Sequence, residues 1–245
     1  MDEQTDNPIK VIVFGATGRA GGSLVVAGLK LGLQVSAFVR DAAKLERLFG
    51  GTLPSELTVF QGDALDADAV ARAVAGHGAV VNAAADNYDR RRFEAICETV
   101  VSVADKQLEY PRRFWQFGGL PGLNVPHTKI MGTDLPGMPA IFRSHKVNFG
   151  QLVRSSLDWS FICPGPMYFA GSVSPSENTI VTTDFMPYEI AEWTKWLPRI
   201  AHPFIMRSHL KEMTVTFEDV AFLIMKNLAS AGPYSKKRIA AVTRP

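Results

Sequence analysis

Cysteine is scarce: the 245 residues hold two, Cys97 and Cys163. Two thiols make no disulfide framework, and both fall in apolar helix or strand patterns, where a buried thiol behaves as a small hydrophobe. Net charge is equally slight, +2 from 26 Lys and Arg against 24 Asp and Glu. That excludes the strong basic excess that draws a protein to nucleic acid or to an anionic membrane surface. No apolar run reaches the roughly 20 residues needed to span a bilayer. Met1 to Pro8 is polar and acidic, opposite in character to a secretory leader, so the expectation is a soluble, cytoplasmic protein. No linker divides the chain either. One α/β domain over residues 1–245 is expected, large enough for a sizeable core, and no metal site.

What is present begins at Ile9. Ile9 to Phe14, broken only by Lys10, reads as a buried strand running into Gly15, Gly18 and Gly21, three glycines at three-residue intervals. Glycine at a strand-to-helix turn permits positive φ and lets a ligand approach bare amides, while the next helix turns unpaired N–H groups toward an anion. The spacing is G-x-x-G-x-x-G, not the commoner G-x-G-x-x-G. Its context is that of a nucleotide-binding unit: a helix patterned by Leu24, Val25, Leu29 and Leu31, then Gly32, then a second strand over Gln34–Val39. The expected ligand group is a pyrophosphate.

Arg40-Asp41 follows the second strand, nineteen residues beyond Gly21. A carboxylate at such a point bonds the ribose hydroxyls of NAD, whereas an arginine accommodates the 2′-phosphate of NADP. Arg40 favours NADP(H), with Asp41 as the competing signal. A short helix over Ala42–Leu48 and a loop over Gly50–Pro54 lead to a third strand, Leu57–Gln61. Gly62-Asp63-Ala64-Leu65-Asp66 then turns into a helix over Ala67–Val74, with Asp63 a candidate either to cap it or to accept from an adenine amino group. His77 is a loop histidine with no assigned chemistry. Ala79–Ala85 reads as the fourth strand, Arg91 to Lys106 as a helix whose entry, Asp89-Arg-Arg-Arg92, is a solvated charged end. Arg113–Phe117 is the fifth strand, closed by Gly118-Gly119. Alternating strands and helices call for a parallel sheet in the order 3-2-1-4-5, covered on both faces, with ligand at the switch between strands one and four.

In the last third, Leu157–Cys163 is a sixth strand broken by Pro164-Gly165-Pro166. Regular patterning then weakens from Tyr168 to Leu210. Ser172–Asn178 reads as a turn, and Phe185, Tyr188, Trp193, Trp196 and Phe204 crowd a stretch (about 166–215) fit to wall an apolar substrate pocket, to core a small cap or to form a dimer surface. Thr216-Phe-Glu-Asp219 opens a capping-box-like helix running to about Ala229. Ile239–Val242 is a last strand.

Taken together, Gly15-Ala-Thr-Gly-Arg-Ala-Gly21, Val39-Arg40, Gly62-Asp63, Asn82-Ala-Ala-Ala85 and Leu157-Asp-Trp-Ser-Phe-Ile-Cys-Pro-Gly165 resemble the atypical short-chain dehydrogenase/reductases. The resemblance is to their NAD(P)H-binding group, which includes NmrA-like regulators, isoflavone-reductase-like enzymes and biliverdin-reductase-B-like flavin reductases. It implies an NAD(P)-binding Rossmann fold with a small C-terminal substrate-binding insertion. It further implies that Gly15, Thr17, Gly18, Arg19, Ala20 and Gly21 hold pyrophosphate, Arg40 the 2′-phosphate, and Asp63 with Ala64 the adenine. Ala83 and Ala84 line the ribose, and Pro164, Gly165 and Pro166 pass the nicotinamide carboxamide.

Ordinary members of that superfamily carry a Ser near the end of strand five and a Tyr-x-x-x-Lys pair on the next helix. Here strand five ends Gln116-Phe-Gly-Gly119, and the helix reads Phe142-Arg-Ser-His-Lys146. Phe142 and Lys146 stand four apart and share a helix face, so the register survives while the phenol is missing. Phenylalanine donates no proton to a nascent alkoxide. Lys146 is the remaining catalytic and ribose-binding candidate; His145, His127 and Tyr168 are further proton sources to consider. The expected function is an NADP(H)-dependent oxidoreductase passing hydride to a small apolar or aromatic acceptor, a carbonyl, quinone or flavin. The alternative is a non-catalytic NADP(H)-binding regulator of the NmrA-like type. A small molecule and a second copy of the chain are the expected partners.

Overall fold

The computed structural model describes residues 9–86, 88–171, 175–176 and 178–243. Its first half is a regular alternation. β1 (Lys10–Phe14), α1 (Arg19–Lys30), β2 (Gln34–Val39), α2 (Ala42–Leu48), β3 (Leu57–Gln61), α3 (Ala67–Val74), β4 (Ala79–Asn82), α4 (Arg90–Gln107) and β5 (Arg113–Phe117) follow one another with short turns. Then come α5 (Ala140–Val153), β6 (Asp158–Ile162), β7 (Met167–Tyr168), β8 (Thr179–Thr183), α6 (His202–Ser208), β9 (Val215–Thr216), α7 (Phe217–Met225) and β10 (Lys237–Thr243). The main sheet has eight strands in the order β3-β2-β1-β4-β5-β6-β10-β8, parallel except for β8. The expected order 3-2-1-4-5 is its left part, and the fold is the doubly wound Rossmann type.

Period-two alternation along the strands sorts the core into two layers. Ile12, Phe14, Phe38, Val80 and Phe114 face α3, α4 and α5, while Val11, Val13, Val35, Ala37, Val81 and Trp115 face α1, α2 and α7. α1 packs on β2 and α7 at Gly28, where an added Cβ would come within 2.7 Å of Val35 Cγ2 and 3.6 Å of Met225 Sδ.

Several boundaries differ from the sequence reading, each for a local reason. β4 stops at Asn82, because Ala83 N donates to Phe14 O (3.0 Å) and the Asn82 side chain accepts from Ala84 N (3.1 Å), drawing the chain across to β1. Asp66, not Asp63, caps α3, accepting from Asp68 N and Ala69 N. α7 ends at Met225 rather than near Ala229; Asn227 O is taken by Arg113 Nε (3.2 Å) and Trp115 Nε1 (3.0 Å). Only half of the capping box forms there. Thr216 Oγ1 accepts from Asp219 N, but the Asp219 carboxylate turns instead to Thr243 Oγ1 and Ser176 N. β8 was not expected at all. Of the turn read over Ser172–Asn178, residues 172–174 and 177 lie outside the described residues.

Candidate functional site

The glycine turn sits at the C-terminal edge of the sheet, between β1 and β4. Gly15 has φ +78°, and a Cβ there would lie 2.7 Å from Ala84 N. A Cβ on Gly21 would meet Gly15 O at 2.1 Å. These two glycines are therefore demanded by the protein's own backbone, which brings the turn, Ala83 and Ala84 together. Gly18 is different: its Cβ would stand 3.2 Å from Gly15 O, and the residue is exposed. It is the N-cap of α1, and no side chain caps that helix. The first N–H groups of α1, those of Arg19, Ala20 and Gly21, have no intrahelical acceptor by the geometry of a helix start, so this end of the helix, beside half-buried Thr17, is suited to an anion.

At the neighbouring strand ends the charges are sorted. The Asp41 carboxylate caps α2 through Lys44 N (3.0 Å) and lies 3.7 Å from Arg47. Arg40 is exposed and, among the described residues, in no ion pair. The competing signal of Asp41 is thus absorbed by α2. Asp63 Oδ1 accepts from Leu65 N (3.0 Å) and Oδ2 from Arg92 Nη2 (2.7 Å), so both oxygens are engaged next to Ala64. Partial burial pushes its pKa up, but the Leu65 N–H and the Arg92 and Arg40 guanidiniums outweigh that and hold it below the usual carboxylate value. Arg92 also reaches toward Asp86 (3.8 Å), a carboxyl lowered by the Asp89 and Tyr88 N–H groups it accepts from. Arg92 is thus no solvated helix end: it joins the ends of β3 and β4. Sequence spacing carried no signal for this, since its partner is 29 residues away.

Beneath the small residues lies a buried polar pair that sequence reasoning also missed. Asn82 Nδ2 donates to Gln116 Oε1 at 3.0 Å, with the fully buried Cys97 thiol 3.4 Å from Gln116 Nε2. Burial raises the pKa of Cys97 and of Cys163, so both stay as thiols. Asn82 fixes Ala84, and Gln116 fixes Asn82, so the backbone beside the glycine turn is preorganised.

On the other flank of the switch point, Pro164-Gly165-Pro166 follows β6. Pro164 O accepts from Leu120 N (3.0 Å), and a Cβ on Gly165 would meet Met213 O at 1.9 Å. The candidates on α5 and beyond it, five residues in all, part company. His145 points inward against strand five's end, where a Cβ on Gly119 would touch its Nε2 at 2.8 Å, with Phe93 edge-on at 5.8 Å. Desolvation pushes its pKa down to about 4, so it is neutral at pH 7. Phe142 lies 6.0 Å from that ring. Lys146 turns outward, its Nζ bonded to both oxygens of Asp134 (2.7 and 2.8 Å). His127 accepts no part in this group, its Nε2 lying 3.2 Å from Ile190 O, and Tyr168 belongs to β7, which pairs with β9. Of the aromatic stretch, Tyr188 is buried and stacked on His209, whereas Trp193, Trp196 and Phe204 are largely exposed.

A cavity of about 930 Å³ lies at the opposite end of the sheet, among Lys10, Gln34, Thr58 and His77. There His77 is buried and fastened to Ser36 Oγ (2.8 Å) and Ala75 O (3.2 Å). Open helix N–H groups and the close-packed glycines are at the C-terminal edge, which is where an open α/β sheet binds its ligand. Size alone does not locate the site. Among the described residues there is no group of three His, Cys, Asp or Glu fit to hold a metal, and no helix is long and apolar enough to cross a membrane.

The model of the NAD(P)H-binding family matches residues 15–187, a span that contains the glycine turn, Arg40, Asp63 and Lys146. The chain belongs to that family. Its members' ligand, a nicotinamide dinucleotide, fits the edge described above, and the family falls within the atypical short-chain dehydrogenase/reductases. No curated protein matches the chain. Solved structures do. A Bacteroides thetaiotaomicron protein proposed to be an epimerase superposes with TM-score 0.70 at 19% identity, covering 98% of this chain and 99% of that one. A Streptococcus pneumoniae protein proposed to be an NADH-flavin reductase gives 0.67 at 18%, covering 96% and 100%. The anaerobillin reductase ChuY of Escherichia coli O157:H7 gives 0.65 at 19%, covering 96% and 99%. At these identities the likeness establishes the family's fold.

Proposed function

We propose that the protein is an NADPH-dependent reductase of a planar, apolar or aromatic acceptor such as a quinone or flavin. The observation that carries the cofactor reading is the sorting of charge after β2: among the described residues Arg40 is in no ion pair, although its charge is felt at Asp63 and Asp86, while Asp41 is committed to α2. A guanidinium left open at that point suits a 2′-phosphate and a carboxylate held elsewhere does not oppose it. The N–H groups of Arg19, Ala20 and Gly21 with Thr17 would hold the pyrophosphate, Asp63 and Ala64 the adenine, Ala83 and Ala84 the ribose, and Pro164-Gly165-Pro166 the carboxamide. Bound there, the dihydronicotinamide supplies a hydride. The chain's own contribution to proton transfer is small: Phe142 has no hydroxyl, and His145 is neutral and desolvated. A ribose or acid role for Lys146 requires it to leave Asp134. Acceptors whose reduced form is a stabilised anion suit such a site, since solvent protonates them without a positioned acid. Two buried free thiols fit a reducing, cytoplasmic setting.

The missing Ser and Tyr favour a second reading, a non-catalytic NADP(H) sensor. Fluorescence titration with NADPH and NADH, on the native protein and on Arg40→Ala, tests the shared half. NADPH should bind at least tenfold tighter than NADH, and the substitution should remove that preference while leaving NADH affinity unchanged. Equal affinity for both nucleotides sinks the NADP assignment. NADPH oxidation across quinones, flavins and carbonyls then separates the readings: turnover supports the reductase, and tight binding with no turnover on any acceptor supports the sensor.

A further inference from the structure

A second cavity, of about 590 Å³, opens beside α5, between the 3-10 turn Gly132–Asp134 and the segment before α6. Thr133, Asp134, Arg143, Lys146, Val147 and Arg199 line it. The charge there is unbalanced. Lys146 and Asp134 neutralise one another, which leaves two guanidiniums with no carboxylate partner among the described residues. Arg199 is held in place by donating from Nη2 to the backbone O of Asp134 (3.0 Å). Arg143, one helical turn before Lys146, has no partner among the described residues and shares its face. A second observation is independent of these charges. Thr133 is only 4% exposed, and its hydroxyl has no hydrogen-bond partner among the described residues. A buried hydroxyl with no protein partner, beside two guanidiniums with no carboxylate of their own, is a donor set suited to an oxyanion.

The cavity is on the cofactor's side of the sheet. Gly132 packs directly on the turn that follows β5, since a Cβ on it would lie 2.9 Å from Pro121 Cα, and Gly132 N donates to Leu123 O (2.8 Å). That same turn donates from Leu120 N to Pro164 O, next to the expected nicotinamide position. The pocket therefore stands one layer out from the C-terminal ends of β5 and β6, with exposed Val147 as apolar wall.

We infer that this pocket binds an oxyanion, a carboxylate or a phosphate, carried by the acceptor, with Arg143, Arg199 and the Thr133 hydroxyl as ligands. The acceptor is then an acidic aromatic molecule, anchored at its charged end while its planar body reaches inward. As a statement about the acceptor this rests on the reductase reading; as a statement about an anion site it does not.

Calorimetric titration of the full chain, with and without NADPH, uses three probes of one shape: 2-naphthoate, 2-naphthyl phosphate and uncharged methyl 2-naphthoate. At least one acid should bind ten or more times tighter than the ester, and the tighter acid tells carboxylate from phosphate. Arg143→Gln and Arg199→Gln, both on the surface and harmless to folding, should each remove part of that difference and together abolish it. Thr133→Val should weaken the acid several-fold and leave the ester unchanged. Equal binding of acids and ester, or a difference that survives in the double variant, overturns the proposal. NADPH titrated in parallel keeps the two readings apart. If NADPH fails to bind but the acids still discriminate, the reductase reading falls and the anion site stands; the reverse result removes the anion site alone.

Discussion

Arg40 and Asp41 are adjacent in sequence, yet the fold gives them opposite duties, one open to a ligand and the other closing a helix. That division is invisible in the dipeptide itself, because it depends on where α2 begins. The glycines were legible for the opposite reason: the demand on Gly15 and Gly21 comes from neighbouring backbone, and such a demand shows in any sequence as glycine. Arg92 and Thr133 were not legible, since one owes its role to a carboxylate 29 residues back in the chain and the other to the burial of its hydroxyl. Thr133 also supports a prediction about stability. An isosteric Thr133→Val keeps the packing and removes a buried hydroxyl with nothing to bond, so the ligand-free protein should gain about 1 kcal/mol. Its thermal midpoint should rise by about 2–4 °C, with a fall as the result that would show the hydroxyl to be satisfied. The same change weakens the acid probes, so stability and binding move in opposite directions at one residue.

At the scale of elements, the strand-to-helix turn separates packing from binding. Gly21→Ala places a methyl group 2.1 Å from Gly15 O, a backbone atom that cannot step aside, and should cost about 3 kcal/mol or more in urea unfolding. Gly18→Ala meets nothing closer than 3.2 Å and should cost less than about 1 kcal/mol. Yet Gly18 is the residue at the mouth of α1, so its alanine variant should weaken NADPH by tenfold or more. If Gly18→Ala binds NADPH as the native chain does, the pyrophosphate is not over α1. Capping is more modest: Asp66→Ala should lower stability by about 1 kcal/mol, as loss of an N-cap does, whereas Asp63→Ala, which releases Leu65 N and Arg92, should lower both stability and adenine binding. The elements of the first half were readable because buried parallel strands are continuous apolar runs bounded by turn residues. β8 was not. It is an edge strand, half-exposed on nearly every residue, so Thr-Ile-Val-Thr-Thr shows neither the alternation of a half-buried strand nor the run of a buried one.

For the whole molecule, acid is the condition to which the fold should be most sensitive. Desolvation lowers the pKa of His145 to about 4 and also depresses His77 and His202. A histidine whose pKa is lower folded than unfolded leaves the unfolded chain with more bound protons below its ordinary value of 6.5. Its contribution is complete above that pH, drains away as pH falls through the interval, and is gone below about 4. Between pH 7 and 5 His145 alone should remove about 2 kcal/mol, and His145→Gln should flatten the dependence of the urea midpoint on pH by that amount. An unchanged slope would mean that water reaches the ring. The sheet has one more consequence, for the order in which the chain is made. β8 touches the sheet only through β10, and β10 enters between β6 and β8, with more than fifty residues of chain separating it from β8. On the ribosome, residues 179–183 have no strand to join until residue 243 has left the exit tunnel. Until then the outer edge of β6 is bare, a stretch of unpaired backbone that a nascent chain must keep from its neighbours.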